Sequence, residues 1–334
     1  MQKILVIQTA FIGDVVLSTA LIESLHNAYP SAAIDVLVRK GNESLFEEHP
    51  FLHHVLIWDK KKSKYINWLR ILFQIRAAKY DEVINVQRYA ATGFWTALSG
   101  ATQKIGFDKN PLSFLFTHRI AHDAIQGQEH EIKRNHALLQ PLGDIPLLKP
   151  ALYPSAKHVA FIAPYQSRPY ICIAPASVWF TKQYPFENWV KFMNEIPFEG
   201  TIYLLGGPGD HFLCEQIRQA SIKKGVENMA GKLSFLASAA LQKKAVINYV
   251  NDSAPMHFAS SMNAPVVAIY CSTIPAFGYG PLSDQSFIVE TRQFLACRPC
   301  GMHGKKQCPL KHFNCANTIE LNQLVAPLLE MTQH

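Results

Sequence analysis

The sequence predicts an α/β protein that consists of two doubly wound, mostly parallel sheets. Short apolar runs typical of buried strands alternate with segments in which apolar residues recur at helical spacing, and this alternation starts twice along the chain. Between the two series stand five prolines without a clear period: Pro146, Pro150, Pro154, Pro164 and Pro169. Because the chain has 334 residues and 49% of them are hydrophobic, each series is long enough to form a domain with its own core.

These boundaries predict the domain organisation. We expect an N-terminal domain over residues 1–150, a proline-rich linker over 151–169 and a C-terminal domain over 170–315. A helix over 316–334 ends the chain, and we expect it to pack back on the N-terminal domain. Two such domains leave a cleft between them, and open α/β sheets bind ligands beyond the carboxyl ends of their strands. The loops after the strands are therefore where functional side chains should lie.

The N-terminal half begins with the apolar run Lys3–Gln8, "KILVIQ", which predicts a buried strand. A helical pattern starts at Asp14 and ends before Pro30. Further strands are predicted at Ala33–Arg39, Val55–Asp59 and Asp81–Gln87, and the helix "SKYINWLRILFQIRAAKY" stands between the last two. In the C-terminal half, "YICIAP", "GTIYLLGG", "VINYV" and "APVVAIYC" are predicted strands, and helical patterns separate them.

Charge and cysteine content narrow the class of protein. The 32 basic and 25 acidic residues leave a net charge of +7, which favours an anionic partner such as a nucleotide diphosphate, an acidic glycan, a membrane surface or nucleic acid. The N-terminal apolar run lacks the cleavage site of a signal peptide, and no apolar run is long enough to span a bilayer, so we expect a cytoplasmic protein. Three of the seven cysteines, Cys172, Cys214 and Cys271, stand alone in apolar contexts and are expected to be buried reduced thiols.

Asp14 follows the first strand directly, where a phosphate-binding loop would normally carry glycines. The stretch "QTAFIGDVV" lacks the G-x-G-x-x-G pattern, and an acid at this helix end would repel a pyrophosphate. Two interpretations remain open at this point. Asp14 either caps the helix, which is common for aspartate, or serves as a general base that accepts a proton from an attacking hydroxyl.

Phosphate-binding chemistry is predicted in the C-terminal half. In "APASVWFTKQYPFENW", a strand leads into a loop with Ser177 and Lys182 just before a helix, a combination of hydroxyl, cation and helix N-terminus that suits phosphate. The alternative is that Lys182 is an ordinary solvent-exposed lysine in a loop. In "NDSAPMHFASSM", a strand delivers Asp252 and Ser253 to a helix start with His257 in its first turn, which favours an anion site.

Two weaker signals accompany these loops. "LLGGPGDH" places Asp210 after a strand, where a carboxylate could hold ribose hydroxyls, although the glycines also suit a simple turn.

The helix that follows the lysines of "KKKSK" is expected to pack on the core, with docking to an anionic membrane as the alternative.

A cysteine-rich segment, "CRPCGMHGKKQCPLKHFNC", contains Cys297, Cys300, Cys308 and Cys315. Four thiols with one C-x-x-C pair could hold zinc, but the second pair lacks the usual two-residue gap. Free thiols, redox-labile pairs and a metal site therefore all stay open.

Taken together, "ILVIQTAFIGDVVLSTALIESL", "PASVWFTKQYP", "GGPGD", "NDSAPMHFASSMNAPVVAIYCST", "FGYGPL" and "CRPCGMHGKKQCPL" resemble bacterial glycosyltransferase family nine over nearly the whole chain. The resemblance is to ADP-heptose:lipopolysaccharide heptosyltransferases, most of all to those of the second-heptose type. It implies the GT-B fold, with two Rossmann-like domains facing across a cleft. It also implies inverting transfer of heptose from ADP-L-glycero-D-manno-heptose to the lipopolysaccharide inner core, without metal or other cofactor, at the cytoplasmic face of the inner membrane.

The resemblance assigns roles to individual positions. Asp14 becomes the general base. The implied donor-binding residues are Ser177, Lys182, Asp210, Leu233, Asp252, Ser253, Ala254 and His257. Basic and polar residues of the N-terminal half should hold the acceptor, and the candidates are Gly13, Gln87, Arg88 and Arg119. The partners implied are the nucleotide sugar, the lipopolysaccharide acceptor and the membrane surface, with no nucleic acid.

Three alternatives stay open on the sequence. A family member could use another nucleotide sugar for a different surface glycan. The doubly wound sheets would also suit a nucleotide-dependent oxidoreductase, although the G-x-G-x-x-G fingerprint is missing. The cysteines and the positive charge would suit a zinc module that binds nucleic acid, although no recognition helix is evident.

Overall fold

The computed structural model describes residues 1–61, 64–122 and 129–332. It divides into two compact units between Tyr153 and Pro154. Lys62 of the lysine-rich segment lies outside the described residues, and the side chain of Lys64 is likewise not described. Each unit has its own parallel sheet.

The first unit contains six strands and four α-helices within the described residues. In chain order they are β1 (Lys3–Ile7), α1 (Ile12–Ala28), β2 (Ala33–Arg39), β3 (Leu52–Trp58), α2 (Lys64–Ala78), β4 (Glu82–Asn85), α3 (Ala90–Leu98), β5 (Gln103–Phe107), β6 (His118–Ile120) and α4 (Glu131–His136). The strand order is β3-β2-β1-β4-β5-β6. All neighbouring strands are parallel, as the strand-helix alternation of the sequence predicts.

The second unit also contains a six-stranded parallel sheet within the described residues. Its elements are α5 (Ala156–Ile162), β7 (Tyr170–Ala174), α6 (Phe186–Glu195), β8 (Thr201–Leu204), α7 (His211–Ala220), β9 (Val226–Asn228), α8 (Phe235–Lys244), β10 (Asn248–Asn251), α9 (Ala254–Ser261), β11 (Val266–Tyr270), β12 (Ser286–Glu290), α10 (Asn314–Asn317) and α11 (Leu321–Thr332). The strand order is β12-β11-β10-β7-β8-β9.

Alternating side chains of the central strands fill two cores, one on each face of the second sheet. On β7, Ile171 and Ile173 belong to one buried cluster, and Tyr170 and Cys172 belong to the other. Successive strand residues point to opposite faces, and both faces are covered by helices. This is why the buried strands appear in the sequence as continuous apolar runs rather than as alternating patterns.

The two sheets share one topology. When the strands of the second unit are counted from β7, their order repeats that of the first unit, which is the 3-2-1-4-5-6 order of dinucleotide-binding domains. The order reverses between β1 and β4 in the first unit and between β7 and β10 in the second. Ligands of such sheets bind in the crevice at this reversal point, so the loops after these four strands are the places to search for a site.

The structure departs from the expected linker. Most of the proline-rich stretch 151–169 is helical, because α5 begins after Ser155, which forms a capping box with His158. Ile162 of α5 is buried in a core cluster of the second unit. The sequence did not predict this helix, because α5 is too short to show a repeating apolar pattern and prolines flank it.

The C-terminal helix also lies differently from the expectation that placed it on the N-terminal domain. Leu324 and Leu328 of α11 are fully buried in a core cluster of the second unit, and the Tyr249 hydroxyl donates to the Leu324 carbonyl at 2.8 Å. The apolar face of α11 therefore completes the core of the unit to which it belongs. Within the described ranges, no helix combines the length and apolarity needed to cross a membrane.

Candidate active site

The reversal point of the first sheet is lined by polar side chains from two loops. Gln8 follows β1 and Gln87 lies just beyond β4, and the Gln87 side-chain amide donates to the Gln8 side-chain oxygen. Both residues are buried. This hydrogen bond joins the two loops at the place where an open α/β sheet binds its ligand.

Asp14 lies at this point, on the first turn of α1. The helix begins at Ile12 with Phe11 as its N-cap residue, so Asp14 is the third helical residue and not the cap itself. The backbone N–H groups of Phe11 and Asp14 interact favourably with its carboxylate.

The pKa of Asp14 is raised to about 6, mainly because burial disfavours the charged carboxylate. Repulsion from Glu131 raises the pKa further, while the two backbone N–H groups and Arg39 act in the opposite direction. A simple capping aspartate at a solvated helix end would have no reason for such a shift. A carboxyl group with a pKa close to neutrality is suited to accept and return a proton during catalysis.

The charges around Asp14 come from elements distant in sequence. Arg39 ends β2, and its guanidinium lies 4.6 Å from the ring centroid of Phe11. Glu131 begins α4 and forms a 2.6 Å ion pair with the buried Arg134. Sequence reasoning missed Arg39 and Glu131. The only sequence signal for Arg39 was its position as the last residue of a predicted strand.

The candidate acceptor residues occupy different places. Gly13 is next to Asp14 in the first turn of α1, and Gln87 is held in the loop described above. Arg88 is exposed directly after Gln87. Arg119 is exposed on β6, at the sheet edge three strands from β1, or about 14 Å at the usual strand spacing. Three of these candidates therefore lie in the segments that follow β1 and β4, whereas Arg119 lies on the edge strand β6.

The reversal point of the second sheet carries an ion pair. Lys182 follows β7, Asp252 follows β10, and the Lys182 ammonium lies 2.7 Å from Asp252 Oδ2. The Thr273 hydroxyl, beyond β11, donates to the same oxygen at 2.7 Å. Both charged side chains are mostly buried. The ammonium has three N–H donors and Asp252 takes one, so the geometry suits a further anion at the same position.

Helix α9 begins next to this pair. Ser253 is its N-cap residue, Ala254 and Pro255 open its first turn, and His257 is buried in the second half of that turn. Ala254 does not have a positive φ, so its methyl group needs no strained backbone. The first N–H groups of a helix lack helical partners and carry a partial positive charge, which attracts phosphate.

A buried threonine holds Lys182 in place. The Thr181 hydroxyl accepts hydrogen bonds from Lys305 N at 2.8 Å and from the Ser272 hydroxyl at 2.9 Å. Gly304 lies against the same turn, and a Cβ added to it would meet Lys182 Cγ and Thr181 Oγ1, both at 3.1 Å. The segment around Gly304 therefore forms one wall of the Lys182 position.

The remaining donor candidates lie elsewhere in the second unit. The Ser177 carbonyl accepts a hydrogen bond from the Gln183 side chain at 2.6 Å. Asp210 accepts from Gly207 N at 2.8 Å, which stabilises the turn before α7. Leu233 is partly buried against a core cluster. These side chains follow β7, β8 and β9, at the same sheet edge as the ion pair.

The cysteine-rich segment is anchored by an arginine that sequence reasoning overlooked. The Arg298 guanidinium donates to the carbonyls of Cys271 and Thr273, both at 2.7 Å, and to Glu290 at 2.6 Å. Cys297, Cys300, Cys308 and Cys315 are free thiols. Arg298 thus binds the cysteine-rich segment to the carboxyl end of β11, close to Thr273. The same segment contains Gly304, which lies against Lys182.

One cluster in the described part of the chain has the ligand spacing of a cation site, and it lies in the first unit. A register shift between β2 and β3 brings His53 Nδ1 and His54 Nδ1 to 3.4 and 3.6 Å from Asp35 Oδ1. The Tyr80 hydroxyl donates to the other oxygen of Asp35 at 2.5 Å. These contacts satisfy a buried carboxylate at the sheet margin, away from the loops after β1 and β4.

Two doubly wound parallel sheets with one strand order are the architecture of the GT-B class of proteins. Residues 68–313 match the family described as glycosyltransferase family 9 (heptosyltransferase), and the chain belongs to this family. The chain is therefore a glycosyltransferase, which rules out the oxidoreductase and zinc-module alternatives.

Curated relatives and solved structures agree with this assignment. The chain is 27% identical over 281 residues to lipopolysaccharide heptosyltransferase 3 of Escherichia coli, covering 79% of this chain and 82% of the relative. Other relatives carry the names heptosyltransferase 1 and 2. The structure of the E. coli ADP-heptose lipopolysaccharide heptosyltransferase II matches with a TM-score of 0.78 and 23% identity, covering 98% of this chain and 99% of that one. An E. coli heptosyltransferase solved with ADP matches with a TM-score of 0.77 and 17% identity, covering 99% and 100%. These likenesses establish the GT-B fold.

Proposed function

We propose that the protein transfers a heptose from ADP-L-glycero-D-manno-heptose to the inner core of lipopolysaccharide, with inversion at the anomeric carbon. The observation that carries the proposal is the position and pKa of Asp14. A carboxyl group with a pKa of about 6 stands at the reversal point of the first sheet, in a family of glycosyltransferases. A direct displacement by a sugar hydroxyl needs such a base.

The second unit supports the role of donor site. Lys182, the N-terminus of α9 and the hydroxyls of Ser177 and Ser253 are suited to a diphosphate. We propose that Asp210 binds the ribose, that Leu233 packs against adenine and that His257 adds a donor to the pyrophosphate loop. A solved relative contains ADP, and another contains an ADP-linked fluoroheptose, which supports ADP as the leaving group.

In the proposed reaction, the acceptor hydroxyl oxygen attacks the anomeric carbon of the heptose. The carboxylate of Asp14 takes the hydroxyl proton as the new carbon–oxygen bond forms. The bond between the anomeric carbon and the phosphate oxygen breaks, and ADP leaves with the electron pair. Lys182 and the helix terminus stabilise the charge that develops on ADP, a task that divalent cations perform in other enzymes of phosphate chemistry. We therefore propose that the reaction needs no metal.

The acceptor and its location form the last part of the proposal. Relatives are named as heptosyltransferases of types 1, 2 and 3, and the motifs that favour the second-heptose type support an acceptor that already carries one heptose. We propose that Gly13, Gln87, Arg88 and Arg119 contact its acidic sugars and phosphates. We also propose that the enzyme acts at the cytoplasmic face of the inner membrane, because its acceptor is a lipid.

The test is a transfer assay with the purified protein, ADP-heptose and inner-core acceptors that carry zero, one or two heptoses. We expect ADP release and a mass gain of one heptose with the one-heptose acceptor, in the presence of a chelator, and an inverted anomeric configuration in the product. Transfer only to the other acceptors would contradict the second-heptose type. Turnover only with a different nucleotide sugar would contradict heptose as the donor sugar. It would still agree with glycosyltransferase activity.

A further inference from the structure

Helix α2 of the first unit is apolar on two faces. Its inward residues Trp68, Ile71 and Ile75 pack in the core against β1, β3 and β4. Its outward residues Ile66 and Phe73 are 71% and 67% exposed. A helix that is apolar all round is normally covered on every side, so the outward face lacks the solvated polar surface of an ordinary surface helix.

The outward apolar residues form one continuous surface. Ile66, Leu69 and Phe73 recur at helical spacing and line a shared groove of about 620 Å³, together with Arg70, Gln74 and Ala77. The neighbouring helix α3 extends this surface with Phe94 and Leu98, which are 44% and 43% exposed. We call this set of residues on α2 and α3 the α2–α3 surface. Contiguous exposed apolar surface of this kind marks a binding face rather than scattered exposure.

The charges of this surface all have one sign. The segment 64–78 contains no acidic residue, and Arg70 and Arg76 stand among its exposed apolar side chains. Arg76 is fixed against α3 by a 2.8 Å hydrogen bond from its guanidinium to the Leu98 carbonyl. Lys61, just before the helix, is also exposed. A second copy of this chain would bring like charges together, whereas an anionic bilayer complements both the apolar and the basic groups.

We propose that the α2–α3 surface docks the enzyme on a bilayer of anionic phospholipid. The inference rests on the proposed function, since a lipid-anchored acceptor is available only at a membrane. Ile66, Leu69 and Phe73 insert between the headgroups and the upper acyl chains, and Arg70 and Arg76 contact lipid phosphates. The reaction itself does not use this surface.

The test is a vesicle cosedimentation assay with the full chain, using phosphatidylglycerol-containing vesicles and pure phosphatidylcholine vesicles. We expect binding to the anionic vesicles that weakens with added salt. Arg70→Gln should lower the partition coefficient by about fivefold, which corresponds to the usual effect of one basic residue near an anionic surface. The triple variant Ile66→Ser, Leu69→Ser, Phe73→Ser should lower it by more than about tenfold.

The matched control is Phe294→Ser in the second unit, where the side chain is 94% exposed but lies outside the proposed surface. It should bind vesicles like the wild type, and melting curves should show that all variants fold. Equal binding by the triple variant and the wild type would overturn the proposal. A wild type that binds anionic and neutral vesicles equally well would also overturn it. A concentration-dependent dimer of the wild type that the triple variant does not form would overturn it too, because a second copy of the chain would then occupy the surface.

A delipidated acceptor fragment separates this proposal from the proposed function. The triple variant should transfer heptose to the fragment at the wild-type rate. Vesicle binding without transfer by the wild type would contradict the function and support the docking surface. Transfer without vesicle binding would support the function and contradict the docking surface.

Discussion

The two units of this protein have the same strand order and place their polar sites at the same topological position, yet the chemistry of the two sites is opposite. In the first unit a carboxyl group, Asp14, is partly buried near another acid, Glu131, and its pKa rises to about 6. In the second unit a carboxylate, Asp252, is paired with Lys182 at 2.7 Å. The sheet topology therefore selects where a site forms, and the neighbouring side chains decide what that site can do.

This difference explains why an acid is tolerated at a helix start that other folds reserve for phosphate. The cationic groups that suit a diphosphate are concentrated in the second unit, on Lys182 and the N-terminus of α9. In the proposed function, the first unit supplies the proton acceptor. The predictions below test this division, in order of decreasing expected effect.

Replacing Asp14 by Asn should lower turnover by roughly 10²–10⁴-fold, because the variant cannot accept the proton of the acceptor hydroxyl. Nucleotide affinity should stay unchanged, since the proposed donor site belongs to the other unit. Transfer kinetics and ADP titrations measure the two quantities. The exposed Asp144 offers a control, and Asp144→Asn should behave like the wild type. Normal turnover of the Asp14→Asn variant would reduce Asp14 to a helix-stabilising residue.

Replacing Lys182 by Ala should weaken ADP binding by roughly 10–100-fold, the usual effect of losing one charge-assisted hydrogen bond to phosphate. It should also lower the free energy of unfolding by about 3 kcal/mol, because Asp252 stays buried without its cation. Calorimetric titration and urea unfolding measure these effects. Lys191→Ala, at an exposed position on α6, is the matched control. Unchanged ADP affinity would remove Lys182 from the donor site.

Turnover should fall by about tenfold for each pH unit below 6, because Asp14 must be deprotonated to act as a base. Stability should change in the opposite direction. A folded-state pKa above the unfolded value stabilises the protein at low pH, and this contribution is lost as the pH rises from 4 through about 6. The loss amounts to about 3 kcal/mol, so Asp14→Asn should be more stable than the wild type at pH 8 and lack the acid limb of the rate profile. An acid limb that persists in this variant would assign it to another group.

Two glycines of the cysteine-rich segment allow a finer test of the Lys182 position. Gly304 and Gly301 both have left-handed backbone, with φ of +74° and +95°. Alanine at either should cost about 1–2 kcal/mol of stability, because L-residues resist this conformation. Only Gly304 is crowded by Lys182, whereas a Cβ at Gly301 meets open space. We therefore expect a several-fold loss of ADP affinity for Gly304→Ala alone. Equal ADP affinities for both variants would show that this wall does not position Lys182.

Much of the fold could be predicted from the sequence. Lys3–Ile7 and Tyr170–Ala174 are continuous apolar runs because both faces of a parallel sheet are covered, and the structure contains these strands as β1 and β7. Four strands were not predicted, namely β5, β6, β9 and β12. Strands β6 and β9 have only three residues, which carry too little pattern to stand out. Helix α5 was hidden among prolines for the same reason.

The candidate site could be predicted only in part. Asp14, Lys182 and Asp252 each follow a recognisable strand, so the loop rule for parallel sheets points to them. Thr273 and Arg298 carried no comparable signal, because their roles depend on contacts with Asp252 and with the end of β11. Such contacts join residues that are distant in the chain.

The sequence by itself determined the class of fold and the residues that could perform chemistry, because apolar periodicity and the polar residues after strands are local properties. Only the tertiary structure decided that Lys182 pairs with Asp252 and that Asp14 has Glu131 as a neighbour. Burial and the proximity of charges set the pKa of a carboxyl group, and both arise when distant segments fold together. A sequence motif can therefore indicate a candidate base, but the folded environment sets the pKa that decides whether the residue can accept a proton.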